Sequence, residues 1–176
     1  MKFNFQAFSA IYLHEMDRFR RTLMQSLFSP VLSTSLYFIV FGSVIGGYVE
    51  NIDGISYGSY IVPGLLMLTL LTQSISNTSF GIFFPKFNGT IYEILAAPIS
   101  TFEIVLAFVG AGATKTLIVG IVIFITSTFF VEVKVMYPIL MIFLLVLVAF
   151  TFALFGFLIG LMSSNFEQMS IIPTLV

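Results

Sequence analysis

Four long stretches with almost no formal charge limit the possible folds of this chain more than any motif in it. They cover residues 22–49, 54–85, 104–131 and 135–166, and Lys115 is the one charged residue inside them. Each stretch is longer than the roughly 20 residues that an α-helix needs to cross a bilayer. The chain is 59% hydrophobic and 9% charged, whereas a typical water-soluble domain is about 25% charged. The sequence therefore predicts an all-α, polytopic integral membrane helical bundle, a single transmembrane domain over residues 1–176.

Polar intervals between these stretches set the number of spans. An acidic turn covers residues 50–58, and the fourth span is predicted over Pro138–Met162. After a polar turn at residues 163–168, the apolar residues 169–176 cover roughly 12 Å as a helix, less than half a bilayer. The sequence thus predicts four complete spans and the start of a fifth, in a chain that is incomplete at its C-terminus.

Residue usage excludes several kinds of site. The chain has no cysteine, which rules out a disulfide framework, a cysteine-ligated metal and a thiol nucleophile. Because the chain has a single histidine, His14, a histidine-rich metal site or a histidine-based catalytic triad is not expected. We therefore predict no catalytic residue, no metal site and no nucleic-acid partner.

The start of the chain predicts an amphipathic helix over residues 3–21. One apolar stripe at three- and four-residue spacing is formed by Phe5, Phe8, Tyr12, Met16, Phe19 and Leu23. Arg18, Arg20 and Arg21 are predicted to lie away from this stripe. A helix of this kind lies in the plane of the membrane interface with its arginines near the lipid headgroups. We expect His14 to be a surface residue without a special role.

The polar interval between the second and third spans carries two helix starts in succession. Thr90 and Glu93 stand at the S/T-x-x-E spacing of a capping box, and Ser100 and Glu103 repeat it ten residues later. The sequence therefore predicts a short helix, followed closely by the helix that forms the third span.

This short helix is predicted from about Ile91 to Ala97, where Pro98 ends it because proline disfavours helix in the residue before it. It carries Ile91, Ile94 and Leu95 on one side. A two-turn helix is marginal in water and needs a surface to pack on. It either lies on lipid at the membrane face or docks in a groove of a partner protein.

Polar residues inside the spans need partners. In the second span they recur at helical spacing, as Thr69, Thr72, Gln73, Ser76, Asn77 and Ser79. In hydrocarbon such groups should face other helices or a wet pathway, so Gln73 and Asn77 have two open roles, interhelical hydrogen bonding and lining of a substrate path. Lys115 is expected to face inward, either in a structural role with a carboxylate or carbonyls, or in contact with substrate or an ion. Close helix approach is predicted at two G-x-x-x-G pairs, Gly42/Gly46 and Gly156/Gly160.

The distribution of lysine and arginine orients the bundle. If the N-terminus is cytoplasmic, one side holds only Lys134 and the cytoplasmic side holds Lys2, Arg18, Arg20, Arg21 and Lys86. The positive-inside rule therefore predicts that the N-terminus and residues 86–103 lie in the cytoplasm.

One ordered set of features runs through the chain: amphipathic helix, span, short acidic loop, a span that opens with Val62-Pro63-Gly64, a cytoplasmic segment, and a third span. The cytoplasmic segment reads Lys86-Phe87-x-Gly89-Thr90-x-x-Glu93-x-Leu95-x-x-Pro98. This order resembles the ABC-2 type transporter permease family, and in particular its short bacterial inner-membrane permeases. The likeness covers essentially all 176 residues, and the cytoplasmic segment with the Pro-Gly start of the second span is its specific part.

The resemblance implies a fold of about six spans and an assembly of two permease subunits, forming a homodimer, with two ATP-binding subunits in the inner membrane. It implies that the segment of residues 86–103 contains the coupling helix, which sits in a cleft of the ATP-binding subunit. The residues that would contact or shape this cleft are Gly89, Thr90, Glu93, Leu95 and Pro98. The chain itself would bind no cofactor, since ATP and magnesium are used by the partner subunit.

Two functions remain open at this point. The resemblance implies an exporter that moves an amphipathic substrate (a drug, lipid or polysaccharide) by alternating access. The alternative is an ATPase-independent integral membrane protein, either a secondary transporter or a membrane enzyme. An ion-coupled carrier usually places several carboxylates within its spans, whereas these stretches contain none. The sequence therefore favours the exporter, but it does not identify which substrate the exporter moves.

Overall fold

The computed structural model describes residues 3–45, 56–131, 133 and 135–175. Over these residues the regular structure is helical: α1 (Phe5–Arg21), α2 (Leu23–Tyr37) continued by a π-helical segment (Phe38–Ile45), α3 (Tyr57–Asn88), α4 (Ile91–Ala96), α5 (Thr101–Ser127), α6 (Pro138–Met162) and α7 (Phe166–Leu175). Within this part of the chain, four helices are long and apolar enough to cross a membrane; they begin at Leu23, Tyr57, Thr101 and Pro138. The predicted all-α bundle with four spans is therefore confirmed.

Some predictions fall outside the described ranges. They concern Gly46 of the first glycine pair, most of the acidic turn at residues 50–58, and Lys2 and Lys134, which bear on orientation. The structure does not test them.

Local chemistry fixes the ends of the spans close to their predicted positions. Helix α6 has the predicted bounds, because Pro138 is well suited to a first helical turn whose N–H groups have no intrahelical partner. Helix α3 begins after Ser56, whose hydroxyl accepts a backbone amide of the first turn. It continues to Asn88, about one turn beyond the uncharged stretch.

Helices α3 and α6 run side by side in the same direction, in close contact. A Cβ atom placed on Gly156 would lie 2.5 Å from the Ile75 carbonyl oxygen, and one placed on Gly160 would lie 2.5 Å from the Ser79 carbonyl oxygen. Neither position has room for a side chain, so the backbones approach as small residues allow. The predicted contact at this glycine pair is confirmed.

Helix α5 lies at the centre of the bundle, against α1, α3 and α6. It runs antiparallel to α3, with Gly112 against Thr78 and Gly120 against Leu70. Small residues on α5 therefore let α3 pack closely along it. This packing carries Lys115, in the middle of α5, into the interior of the bundle.

The amphipathic helix α1 packs lengthwise on the first half of α5. Tyr12 donates a hydrogen bond to the Thr114 hydroxyl at 3.0 Å, and Glu15 meets Lys115 further along both helices. The helix itself is confirmed within one or two residues of its predicted bounds. Its position in the plane of the membrane interface stays a prediction.

Lys86, near the end of α3, caps the end of α6. Its ammonium group donates to the carbonyl oxygens of Leu161 at 2.6 Å and Ser163 at 2.9 Å. A cation is favourable there because the last carbonyls of a helix lack intrahelical partners and carry partial negative charge. The ends of α3 and α6 are thereby tied together beside α4.

Candidate functional site

Helix α4 lies at the end of the bundle, after a sharp turn. Gly89 ends α3 with a φ of +81°, a left-handed conformation that glycine adopts without strain. The helix that follows, Ile91–Ala96, matches the predicted helix to within one residue, and none of its six residues is buried.

The two sides of α4 differ in exposure. Ile91 and Ile94 are half-buried against the core cluster formed by α3, α5 and α6. On the other side, Tyr92 is 73% exposed and Leu95 is 60% exposed. The sequence placed Leu95 on the same side as the isoleucines, and the structure instead directs it outward. Helix α4 therefore packs on the bundle through its isoleucines and presents a tyrosine and a leucine to its surroundings.

The predicted capping box at Thr90 and Glu93 is wrong. Thr90 has helical backbone angles, and its hydroxyl makes no cap bond but donates to the Pro85 carbonyl oxygen at 3.4 Å. An N-cap residue needs an extended backbone to turn its oxygen toward the helix, and the turn at Gly89 does not provide one. Glu93 is left exposed on the surface of α4.

The second capping box, at Ser100 and Glu103, is confirmed. The Ser100 hydroxyl accepts the Glu103 amide at 3.3 Å, and the Glu103 carboxylate accepts the Ser100 amide at 2.8 Å. The other carboxylate oxygen accepts the Asn4 amide at 2.5 Å, and the Asn4 side chain in turn caps α1. One carboxylate therefore joins the start of α1 to the start of α5.

The five residues predicted to form the coupling contact lie together at this end. Gly89 and Pro98 bound α4 on either side, while Thr90, Glu93 and Leu95 are exposed. Their contact with an ATP-binding subunit stays a prediction.

An ion cluster of Glu15, Arg18 and Lys115 lies between α1 and α5. Glu15 Oε2 accepts from Lys115 Nζ at 2.8 Å and from the Arg18 guanidinium at 2.7 Å. Glu15 is 2% exposed and Lys115 is 3% exposed. An unpaired lysine inside a span costs at least about 2.5 kcal/mol on insertion scales, and the carboxylate offsets this cost. Lys115 thus faces inward and joins two helices through a carboxylate, one of the partners expected for it.

Helix α3 closes the ion cluster from a third side. The Arg18 guanidinium lies 5.2 Å from the centre of the Phe80 ring, a cation–π contact. A Cβ atom on Gly81 would lie 3.2 Å from Glu15 Oε2. Burial lowers the pKa of Arg18, and the charge of Glu15 opposes that shift. Arg18, predicted to lie away from the apolar stripe of α1, is partly buried, because its pairing with Glu15 draws it inward.

A cleft of about 500 Å³, here called the basic cleft, opens beside the ion cluster. Side chains from α1, α2, α3, α5 and α7 line it, among them Arg18, Ser26, Ser76, Asn77, Lys115 and Ser170. Asn77 Nδ2 is buried there without a hydrogen-bond partner among the described residues. Two of the residues singled out from the sequence, Asn77 and Lys115, therefore meet in one site.

Gln73 lies in a different place. It lines a smaller cleft of about 200 Å³ between α2 and α3, with Thr34 and Tyr37 on the opposite side. No charged residue lines this cleft among the described side chains. The next residue, Ser74, points to a different neighbour, and its hydroxyl donates to the Ala149 carbonyl oxygen of α6 at 2.6 Å. The polar stripe of α3 thus divides among three neighbouring helices.

Glu15 was missed by the sequence reasoning. The packed side of α1 contains Tyr12, Glu15 and Phe19, whereas Phe5 of the predicted stripe is 68% exposed. The spacing could have indicated its role: Glu15 stands three residues after Tyr12 and four before Phe19, which puts a carboxylate on the packed side of an amphipathic helix. Such a carboxylate needs a cation, and Lys115 is the one charge within the long stretches.

The composition of the ion cluster bears on what it can bind. Within the described part of the chain, no three His, Cys, Asp or Glu side chains group as metal ligands. The cluster joins one carboxylate to two cations, and a metal cation would be repelled by their excess positive charge. The site therefore suits an anionic group.

Comparison with known proteins gives two findings. The family model for ABC-2 type transporters matches residues 6–176. The proteins called inner membrane transport permease YadH in Escherichia coli strain K12 and in Shigella flexneri are each 38% identical to the chain over 170 residues. Each match covers 97% of the chain, and the chain spans 66% of the length of these curated relatives. No solved structure matches the chain significantly.

Proposed function

Because the chain belongs to the ABC-2 type transporter family, we propose that it is the membrane-spanning permease subunit of an ATP-binding cassette exporter. It moves an amphipathic substrate, such as a drug, lipid or polysaccharide, across a bacterial inner membrane. It alternates between inward-open and outward-open states. A separate ATP-binding subunit uses ATP and magnesium to drive this change.

The proposed assembly contains two ATP-binding subunits and a second permease subunit, so that the permease is a homodimer surrounded by lipid. The N-terminus and α4 face the cytoplasm in this proposal. The support is the distribution of basic residues in the sequence: Arg18, Arg20 and Arg21 come before the first span and Lys86 follows the second, and the positive-inside rule assigns these segments to the cytoplasmic side.

The observation that carries the proposal is the exposed side of α4. A short helix that is held by Ile91 and Ile94 presents Tyr92, Glu93 and Leu95 outward. Aromatic and apolar anchors on a short helix suit a groove on a partner protein, where such residues dominate the binding energy. We propose that the ATP-binding subunit supplies this groove.

The contacts around α4 support transmission of its motion. Glu103 ties the start of α5 to Asn4 at the start of α1, and Lys86 ties the end of α3 to the end of α6. A displacement of α4 is therefore expected to move these four helix ends together. We propose that this joint movement switches the spans between their two states.

In this proposal, Lys115 has a structural role, whereas Gln73 and Asn77 line the substrate path. Lys115 holds α1 against α5 through Glu15. Gln73 and Asn77 line two clefts that follow each other along the same side of α3. We propose that these clefts provide polar surface along the substrate path.

The docking role is tested by co-purification of the complete permease with its ATP-binding subunit. We expect Leu95→Asp and Tyr92→Ala each to reduce the amount of co-purified ATP-binding subunit at least about tenfold, because truncated anchors cost about 2 kcal/mol or more. The matched control is Tyr137→Ala, since Tyr137 is 66% exposed at the opposite end of the bundle. Membrane insertion should be unchanged in all three variants. Retention of the ATP-binding subunit by both α4 variants at the level of the control would refute the docking role.

A further inference from the structure

The ion cluster carries an excess positive charge. Glu15 contributes one negative charge, and Arg18 and Lys115 contribute one positive charge each, so the net charge is +1. Both cations bind the same oxygen, Glu15 Oε2. A guanidinium group has five N–H donors and an ammonium group has three, so most of their donors take no part in these two contacts. Because Arg18 and Lys115 also line the basic cleft, the excess charge faces it.

Asn77 adds an unpaired donor to the same cleft. Its Nδ2 is buried and has no partner among the residues that the structure describes. Leaving a buried amide without a hydrogen bond costs about 1–3 kcal/mol. Three side chains that carry donors, Asn77, Arg18 and Lys115, thus line the cleft, and this set complements a group rich in acceptor oxygens and negative charge.

Exposed residues of the basic cleft lie where α1 meets α2. Thr22 and Gln25 line it and are exposed. Arg20 and Arg21, directly before Thr22, are also exposed. Arginines next to the start of a span lie at the level of the lipid headgroups. We therefore expect the exposed side of the cleft to lie near the level of the lipid phosphates.

We propose that the basic cleft binds one phosphate-bearing anionic group, held by Arg18 and Lys115 through charge and by Asn77 through a hydrogen bond. A singly charged phosphodiester balances the net charge of the ion cluster and gives Asn77 an acceptor. The planar guanidinium of Arg18 can bind two phosphate oxygens at once. The phosphate belongs either to the headgroup of an anionic lipid or to a free ion. This site needs no ATP-binding subunit, so it can fail while the proposed function stands.

The test uses the complete permease, purified without lipid in an uncharged detergent, and follows its thermal unfolding. Short-chain phosphatidylglycerol is expected to raise the midpoint of unfolding in a saturable way, whereas short-chain phosphatidylcholine is not. Inorganic phosphate identifies the source: an equal rise with phosphate indicates a free ion, and a rise confined to phosphatidylglycerol indicates a lipid headgroup. An equal rise with both short-chain lipids would overturn the proposal.

Two variants locate the binding in the basic cleft. Arg18→Gln is expected to weaken the apparent affinity for phosphatidylglycerol about tenfold or more, the usual effect of losing a charge-assisted hydrogen bond. Its matched control is Arg20→Gln, because the Arg20 side chain is 77% exposed and lies outside the cleft; its affinity should stay within about twofold of the original. Equal losses in these two variants would indicate unspecific surface charge and would overturn the proposal.

Asn77→Ala keeps the test decisive if Arg18→Gln does not fold. This substitution leaves all three members of the ion cluster in place and removes a donor that has no partner within the described chain. We expect a loss of affinity of about fivefold to tenfold, without a loss of stability in the absence of lipid. Unchanged affinity in Asn77→Ala would contradict the assignment of Asn77 as a ligand.

Discussion

Two turns with the same S/T-x-x-E spacing lie ten residues apart in this chain and have opposite structures. At Ser100 the backbone is extended, with a ψ of 150°, and both bonds of the capping box form. At Thr90 the ψ is −14°, and neither bond forms. The preceding residues differ: Gly89 turns the chain sharply into Thr90, whereas Pro98 holds Ala97 extended, so that α4 ends before the chain reaches Ser100. The spacing indicates which bonds are available, and the backbone before the motif decides whether they form.

The difference also divides the two glutamates by role. Glu103 is 4% exposed and binds backbone amides of Ser100 and Asn4. Glu93 is exposed on α4. We call the turn at Ser100, where the capping box forms, the closed turn, and the turn at Thr90, where it does not, the open turn. We expect substitutions at the closed turn to change the stability of the bundle, and substitutions at the open turn to change association with a partner.

The largest effect is expected for Glu103→Ala. It removes the acceptor of two backbone amides, and hydrogen bonds to a charged group contribute about 1.5–3 kcal/mol each. The free energy of unfolding should fall by about 3 kcal/mol, measured by denaturant or thermal unfolding in detergent. Glu93→Ala is the matched control. Equal destabilisation of the two variants would contradict the claim that only Glu103 stabilises the bundle.

Gly89→Ala should have the next largest effect. The left-handed conformation of Gly89 costs about 1–2 kcal/mol for a residue with a Cβ atom, although nothing lies within 4 Å of such an atom. Gly89→Asn should restore part of the loss, because asparagine tolerates this conformation. The control is Gly64→Ala, which also meets no atom within 4 Å but lies inside α3. A loss of stability in Gly64→Ala as large as in Gly89→Ala would show that the backbone conformation is not the cause.

A smaller effect is expected for Ser100→Ala. Loss of an N-cap hydroxyl destabilises a helix by about 1 kcal/mol. The same substitution at the open turn, Thr90→Ala, removes no cap bond and should change stability by less than about 0.5 kcal/mol. Unfolding of both variants under identical conditions compares the turns directly, and the reverse order of effects would contradict the structure of both.

The smallest effect on stability is expected for Glu93→Ala, within about 0.5 kcal/mol, because its side chain is exposed. The same variant should reduce co-purification with the ATP-binding subunit if α4 docks as proposed. A destabilised Glu93→Ala protein would show that Glu93 has a role within the bundle that its exposure does not indicate.

The spans and α4 could be predicted because local rules determine them. The bounds of α6 follow from hydrophobic length and from Pro138, and the end of α4 follows from Pro98 to within one residue. The start of α4 is predicted at the right place but from a capping box that does not form, because the turn at Gly89 sets it instead. These features depend on neighbours in the sequence. Physical rules for helix length, proline and glycine therefore predict them without knowledge of the packing.

The candidate site could be predicted only in part, because its contacts join distant segments. Lys115 was expected to need a partner, but Glu15 lies 100 residues earlier, on a helix assigned to the membrane surface. Gln73 and Asn77 stand one turn apart and look alike in the sequence. They line different clefts because they stand at different heights along α3: Gln73 lies opposite residues 29–37 of α2, and Asn77 lies opposite the junction of α1 and α2. Which neighbour each residue meets is a property of the packed bundle.

The parallel contact between α3 and α6 has a consequence for biosynthesis. The Ser74 hydroxyl binds the Ala149 carbonyl oxygen, which is made 75 residues later. At about 5–20 residues per second, α3 waits roughly 4–15 s for this partner. During this interval the side of α3 that later packs on α6 is not covered by it, and we expect α3 to be retained at the insertion site. Site-specific crosslinking of ribosome-bound chains should detect the insertion machinery beside Ser74 before α6 emerges and lose this crosslink afterwards.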